Sequence, residues 1–112
     1  MLMGQAPRKN LSAAELAKIA SHPLGSSKNP VKVQGVEGEY VYLARLRCPE
    51  NKPPAVERQG SAAEPSPYGS IMDVYETACD ASKVIIFVDM YHPGYVEQAA
   101  VPGFTIVAPG AN

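Results

Sequence analysis

At 112 residues the chain fits a single domain. A core of that size is only modestly stable, so one covalent staple would matter. The hydrophobic fraction of 46% is that of an ordinary globular protein, and the longest strongly apolar run, Val84–Val88, is far too short to span a bilayer. A formal charge of −1, with Lys and Arg scattered along the chain, removes the main electrostatic reason to expect nucleic-acid binding. A local basic patch is still open, with Arg45, Arg47 and Arg58 as candidates for one.

Residues 1–10 read as a flexible arm with no apolar stretch of signal-peptide length; residues 11–112 read as one domain. Ser12 and Glu15 form a Ser-x-x-Glu capping box, and Leu11 and Leu16 stand where a hydrophobic staple would. Leu16, Ile19 and Ala20 then recur at helical spacing, and Pro23 disfavours helical geometry at His22. This predicts a helix over about 12–21, with one narrow apolar face. Residues 22–30 form a turn-rich connector.

Val31–Gln34 alternates at period two, Gly35–Gly38 supplies a turn, and a long strand is expected over 39–48. Tyr40, Tyr42, Ala44, Leu46 and Cys48 would share one face of it, with Arg45 and Arg47 on the other. Residues 49–69 hold five prolines and two glycines, which no central strand accommodates, so they read as a long loop. Ile71–Ala78 reads as a strand. Lys83–Tyr91 is the most apolar strand, with apolar residues on both faces as a central, doubly covered strand would have. His92-Pro-Gly-Tyr95 fits a type II turn, and a short strand runs over 104–107. The sum is α+β: an N-terminal helix packed on a roughly five-stranded antiparallel or mixed sheet.

Cys48 and Cys79 each end an expected strand beside turn residues. A disulfide between them is the favoured reading, two reduced thiols the alternative. A zinc site would need two further ligands, and the chain has no CxxC and no nearby His pair. If bridged, adjacent antiparallel strands would put the two cysteines at opposite sheet edges, beyond the ~7 Å between Cα atoms that a bridge tolerates. The strands ending at Cys48 and Cys79 are therefore expected to run roughly parallel, with 49–69 carrying the chain back.

For chemistry, the densest cluster is Asp89-Met-Tyr91-His92-Pro-Gly-Tyr95-Val-Glu97. Asp89 could orient His92 as a general base, with Glu97 or an arginine assisting. Arg45, Arg47, Tyr91 and Tyr95 are candidate ligand-binding groups. The plainer roles are that His92 opens a Pro-Gly turn and that His22 caps a helix C-terminus. A metal site joining the two histidines has no spacing signature. No Gly-x-Ser-x-Gly elbow and no phosphate loop is present, and no cofactor is implied.

The phrases His22-Pro-Leu-Gly-Ser26, Asn29-Pro-Val31, Tyr42-Leu-Ala-Arg-Leu-Arg-Cys48 and Tyr68-Gly69 resemble those of small exported bacterial proteins of unknown function. Asp73-Val-Tyr75, Cys79 and Asp89-Met-Tyr-His-Pro-Gly94 extend the resemblance to residues 20–107. It implies export and a paired Cys48 and Cys79, and brings no activity. The expectation is thus a periplasmic or secreted, non-enzymatic binding module that meets another protein, such as a hydrolase inhibitor, its leader removed before Met1. The alternatives are a small nuclease-like hydrolase built on His92 with Asp89 or Glu97, and, for compartment, the cytoplasm.

Overall fold

A computed structural model describes residues 10–110. The expected arm falls almost wholly outside them. The first helix, α1, spans Ala13–Ala20. Its capping box is complete: the Ser12 hydroxyl accepts from the Glu15 amide at 3.1 Å, and the Glu15 carboxylate accepts from the Ser12 amide at 2.8 Å. The apolar face is narrower than its spacing predicts. Ile19 is buried, whereas Leu16 is 46% exposed.

Two residues of the expected first strand form β1, Val31–Lys32. The next segment departs from expectation. Gly35–Arg45 is a helix, α2, so residues 39–48 form no long strand and no hairpin with β1. The expected strand shrinks to β2, Leu46–Arg47. The buried set Glu39, Tyr42, Leu43 and Leu46 follows the i, i+3, i+4, i+7 spacing of one helix face. The β-branched and aromatic residues Val36, Tyr40 and Val41, which argue for a strand, lie on the exposed side. Gly38 lets α2 lie close on the chain just after β1, since a Cβ there would stand 3.1 Å from the Val33 Cβ.

The proline-rich stretch is also not all loop. Ala55–Ser61 forms β3, free of proline and flanked by Pro53, Pro54, Pro65 and Pro67. It is an edge strand that carries Glu57, Arg58 and Gln59 and bulges between Arg58 and Gly60, features that discourage edge-to-edge pairing. β4, Asp73–Cys79, and β5, Ser82–Asp89, form a tight hairpin through Asp80, whose φ of 55° suits such a turn. β6 is Thr105–Ile106.

The main sheet has the order β1-β5-β4-β3, with β1 parallel to β5 and the other pairs antiparallel; β2 and β6 form a separate antiparallel pair. The architecture is α+β with a mixed sheet. Alternation gives that sheet two unlike faces. Tyr75, Thr77, Ile86 and Val88 are buried, with Tyr42 and Leu43 of α2 and Leu46 of β2 also in the core. The opposite face carries Ile85, 46% exposed, and Phe87, so β5 is central in the sheet but covered fully on one side only.

Cys48 and Cys79 are bonded, with Cα atoms 5.7 Å apart. The parallel arrangement expected for their strands does not arise, because β2 and β4 belong to different sheets. The chain turns after Cys48, and β3 starts with Ala55 opposite Ala78, so the bridge fastens the entry to β3 against the hairpin end of β4.

Candidate functional site

Asp89 and His92 meet in a knot with Ser66 and Tyr68 at the end of β5. Asp89 is fully buried and His92 is 4% exposed. His92 Nε2 lies 3.2 Å from Asp89 Oδ2, and the Ser66 hydroxyl donates to the same oxygen at 2.7 Å. The Tyr91 amide donates to Asp89 Oδ1 at 3.1 Å. Burial works to raise the Asp89 pKa, but the bonds from His92, Ser66 and the Tyr91 amide outweigh it and hold the carboxyl below its ordinary value. The His92 ring meets Tyr68 edge-on at 4.7 Å, and the expected turn closes behind it, with the Tyr95 amide donating to the His92 carbonyl at 3.1 Å. Lys32 Nζ stands 4.4 Å from the Tyr95 ring centre, a cation–π contact at the rim.

The other residues singled out by sequence do not converge on His92. Glu97 is buried, but its carboxylate faces the Lys32 amide at 3.4 Å. Arg45 is 4% exposed and donates to the carbonyls of Val107 and Glu97, each at 2.8 Å, tying α2 to the C-terminal segment. Arg47 donates to the Ala44 and Leu46 carbonyls. Neither arginine offers its guanidinium to a ligand at the knot. Tyr42, expected on one face of a strand, is itself in α2 and buried, with its hydroxyl donating to the Ala99 carbonyl at 2.9 Å. Tyr40 is 59% exposed. Among the described residues, no group of three or more His, Cys, Asp or Glu could hold a metal ion, and no helix is long and apolar enough to cross a membrane.

Two concavities among the described residues lie beside the sheet. The larger, a groove of about 740 Å³, lies between α1 and the segment 62–67. Ile19, Met72 and Phe87 line it, with Glu15, Lys18, Lys28 and Glu64 also at its walls. Ser66 belongs to both groove and knot, and its oxygen is fully used: besides donating to Asp89 it accepts from the amides of Tyr68 and Ser70 at 3.1 and 3.3 Å.

The smaller, a cleft of about 410 Å³, opens between α2, β3 and the start of β4, with Val36, Tyr40, Ile71, Met90 and Tyr91 along its sides. Glu39, Asp73 and Tyr75 line it too. The Tyr75 hydroxyl donates to Glu39 Oε1 at 2.7 Å, and Arg58 pairs with Asp73 at 2.8 Å. Burial, reinforced by the neighbouring Asp73 carboxyl, pushes the Glu39 pKa up from 4.5 to about 8. Sequence reasoning missed this set, because a strand over 39–48 puts Glu39 on the opposite face from Tyr42 and Leu46. The helical spacing of Glu39 with Tyr42, Leu43 and Leu46 was the available signal, an acid placed in an apolar stripe.

No family model, curated protein or solved structure matches this chain.

Proposed function

We propose that the chain is an exported, non-enzymatic binding module that receives a segment of a partner protein in the groove between α1 and residues 62–67. One observation carries this: the groove has an apolar floor of Ile19, Met72 and Phe87, and its loop wall is held in place by Ser66 on the buried Asp89. A rigid wall lowers the ordering cost of binding, and charges of both signs at the rim supply orientation. A partner segment with one or two apolar side chains and flanking charges matches that chemistry. The Cys48–Cys79 bridge supports a periplasmic or secreted location, where such bonds persist.

The hydrolase alternative has less to stand on. Ser66 spends its proton on Asp89, His92 is packed between the loop and Tyr68, and Glu97, Arg45 and Arg47 are engaged elsewhere.

A photo-crosslinking residue at the exposed Ala63, in protein exported to the periplasm, tests the proposal. A discrete protein adduct that disappears when Ala62→Trp fills the groove is the expected result. An adduct indifferent to Ala62→Trp, or none at all, overturns it.

A further inference from the structure

The chain itself enters the groove between α1 and residues 62–67. Ser12 caps α1 in an extended conformation, with φ −73° and ψ 166°, so the residues before it leave the helix axis. Leu11, the next residue back, already lines the groove, as does Glu15 from the first turn of α1. Residues 1–9, which lie outside the described residues, therefore join the molecule at one end of the groove. They read Met-Leu-Met-Gly-Gln-Ala-Pro-Arg-Lys: three apolar side chains, a spacer, then two cations. The groove offers the complement. Its floor is Ile19, Met72 and Phe87, and Glu64 stands exposed on its loop wall. Methionine side chains adapt well to an irregular apolar floor of this kind.

We propose that residues 1–9 occupy this groove in cis, with Leu2 and Met3 on its apolar floor and Arg8 and Lys9 against Glu64, and that a partner segment binds by displacing them. This rests on the groove being a receptor for a chain segment, and adds its resting occupant. Reach is sufficient. Nine extended residues span about 30 Å, against about 12 Å for the eight residues of α1, so the segment can turn at Asn10 and pass the far end of the helix. Charge sets its polarity. Arg8 and Lys9 precede the cap at the positive end of the α1 dipole, where cations are disfavoured unless an acid meets them. Lys18 lies in the last turn of α1, and the Asn29 side chain holds the Lys28 turn on the His22 carbonyl just beyond it. Those two cations repel the basic pair from that end. A tethered segment meets its site at an effective concentration of about the millimolar range. Weak affinity then suffices to seat it, and a tighter partner can still displace it.

The test uses the intact, oxidised chain with a photo-crosslinking residue in place of Ala63, irradiated after purification with no partner present. Peptide mass spectrometry should find residues 1–8 joined to the peptide that bears position 63. An equal mixture with ¹⁵N-labelled protein separates the two sources of that product: uniform isotopes mark one chain, mixed isotopes a second copy. Leu2→Ser with Met3→Ser should lower the intrachain product about fivefold or more, and Ala62→Trp should do the same. Arg8→Glu with Lys9→Glu should lower it several-fold, and Glu64→Lys should restore it in that background. The Leu2→Ser, Met3→Ser pair should also shift the amide signals of Ile19 and Phe87 in NMR spectra while leaving those of β3 in place. No product with residues 1–8, a product indifferent to the Leu2→Ser, Met3→Ser pair, or mixed isotopes as abundant as uniform ones overturns the proposal. An intrachain product without any partner adduct in exporting cells counts against the partner reading alone. A partner adduct without the intrachain product counts against the resting occupant alone.

Discussion

The Tyr75 hydroxyl donates to Glu39 Oε1 at 2.7 Å, joining the middle of α2 to the middle of β4 across the core. This bond fixes the helix over the sheet, and it does so with an acid whose pKa has been pushed up to about 8. The arrangement makes stability depend on pH in a definite direction. Below pH 4.5 both folded and unfolded chains hold the Glu39 proton, and the full stability is present. Between 4.5 and about 8 the unfolded chain has lost the proton while the folded chain keeps it, so stability falls as pH rises. Above about 8 this contribution levels off. The slope is at most about 1.4 kcal/mol per pH unit. Glu39→Gln removes it, so urea melts of the variant should gain on the wild type steadily from pH 5 to 8. Parallel curves for the two proteins would contradict the buried acid.

Asp89 works in the opposite sense. Its folded pKa lies below the ordinary value, so its contribution is present above pH 3.8 and is lost as pH falls through the folded value. Ser66→Ala removes one charge-assisted bond to it and should cost about 1.5–3 kcal/mol. Hydrogen exchange should then speed up at the amides of Tyr68 and Ser70, which the Ser66 oxygen holds.

Arg45 is buried and holds two carbonyls of the C-terminal segment. Arg45→Met leaves the Val107 and Glu97 carbonyls without their donor. A loss of about 2–4 kcal/mol in chemical denaturation is expected. Arg47→Ala, which gives up bonds only within its own neighbourhood, should cost under about 1 kcal/mol.

The disulfide should resist alkylation in protein purified without reductant. The bridge closes a loop with a sequence separation of 31, for which loop entropy gives about 3.5 kcal/mol. Denaturant melts with and without reductant measure that loss. Two free thiols in unreduced protein would contradict the bridge.

Local chemistry made several elements legible. The Ser12–Glu15 capping box, Pro23, the turn residues between the β4 and β5 strands and the His92-Pro-Gly turn each act over a few residues, and these elements lie close to where the sequence puts them. α2 was illegible because its evidence is tertiary. Gly35 and Gly38 favour a turn locally and the Val and Tyr residues a strand, and only burial of the face carrying Glu39, Tyr42 and Leu43 selects the helix. That one misassignment removed the acid cleft from view, since Glu39 meets Asp73 and Tyr75 only when α2 crosses the sheet. The Asp89–His92 proximity was readable from their spacing. What was not readable is that Ser66 arrives from a distant loop and that Glu97 turns away to Lys32.

The bridge at Cys48 also determines what lies at the border of the main sheet. β3 is exposed along nearly its whole length and pairs only with β4, so its residence there depends on the anchor at its start. Once the bond is reduced, fraying of β3 uncovers the backbone N–H and C=O groups of β4, a more buried and more apolar border that a second chain can extend. Oxidation state therefore governs colloidal behaviour as well as thermodynamics. Reduced protein should turn cloudy at concentrations where the oxidised form stays clear, well before its core has melted.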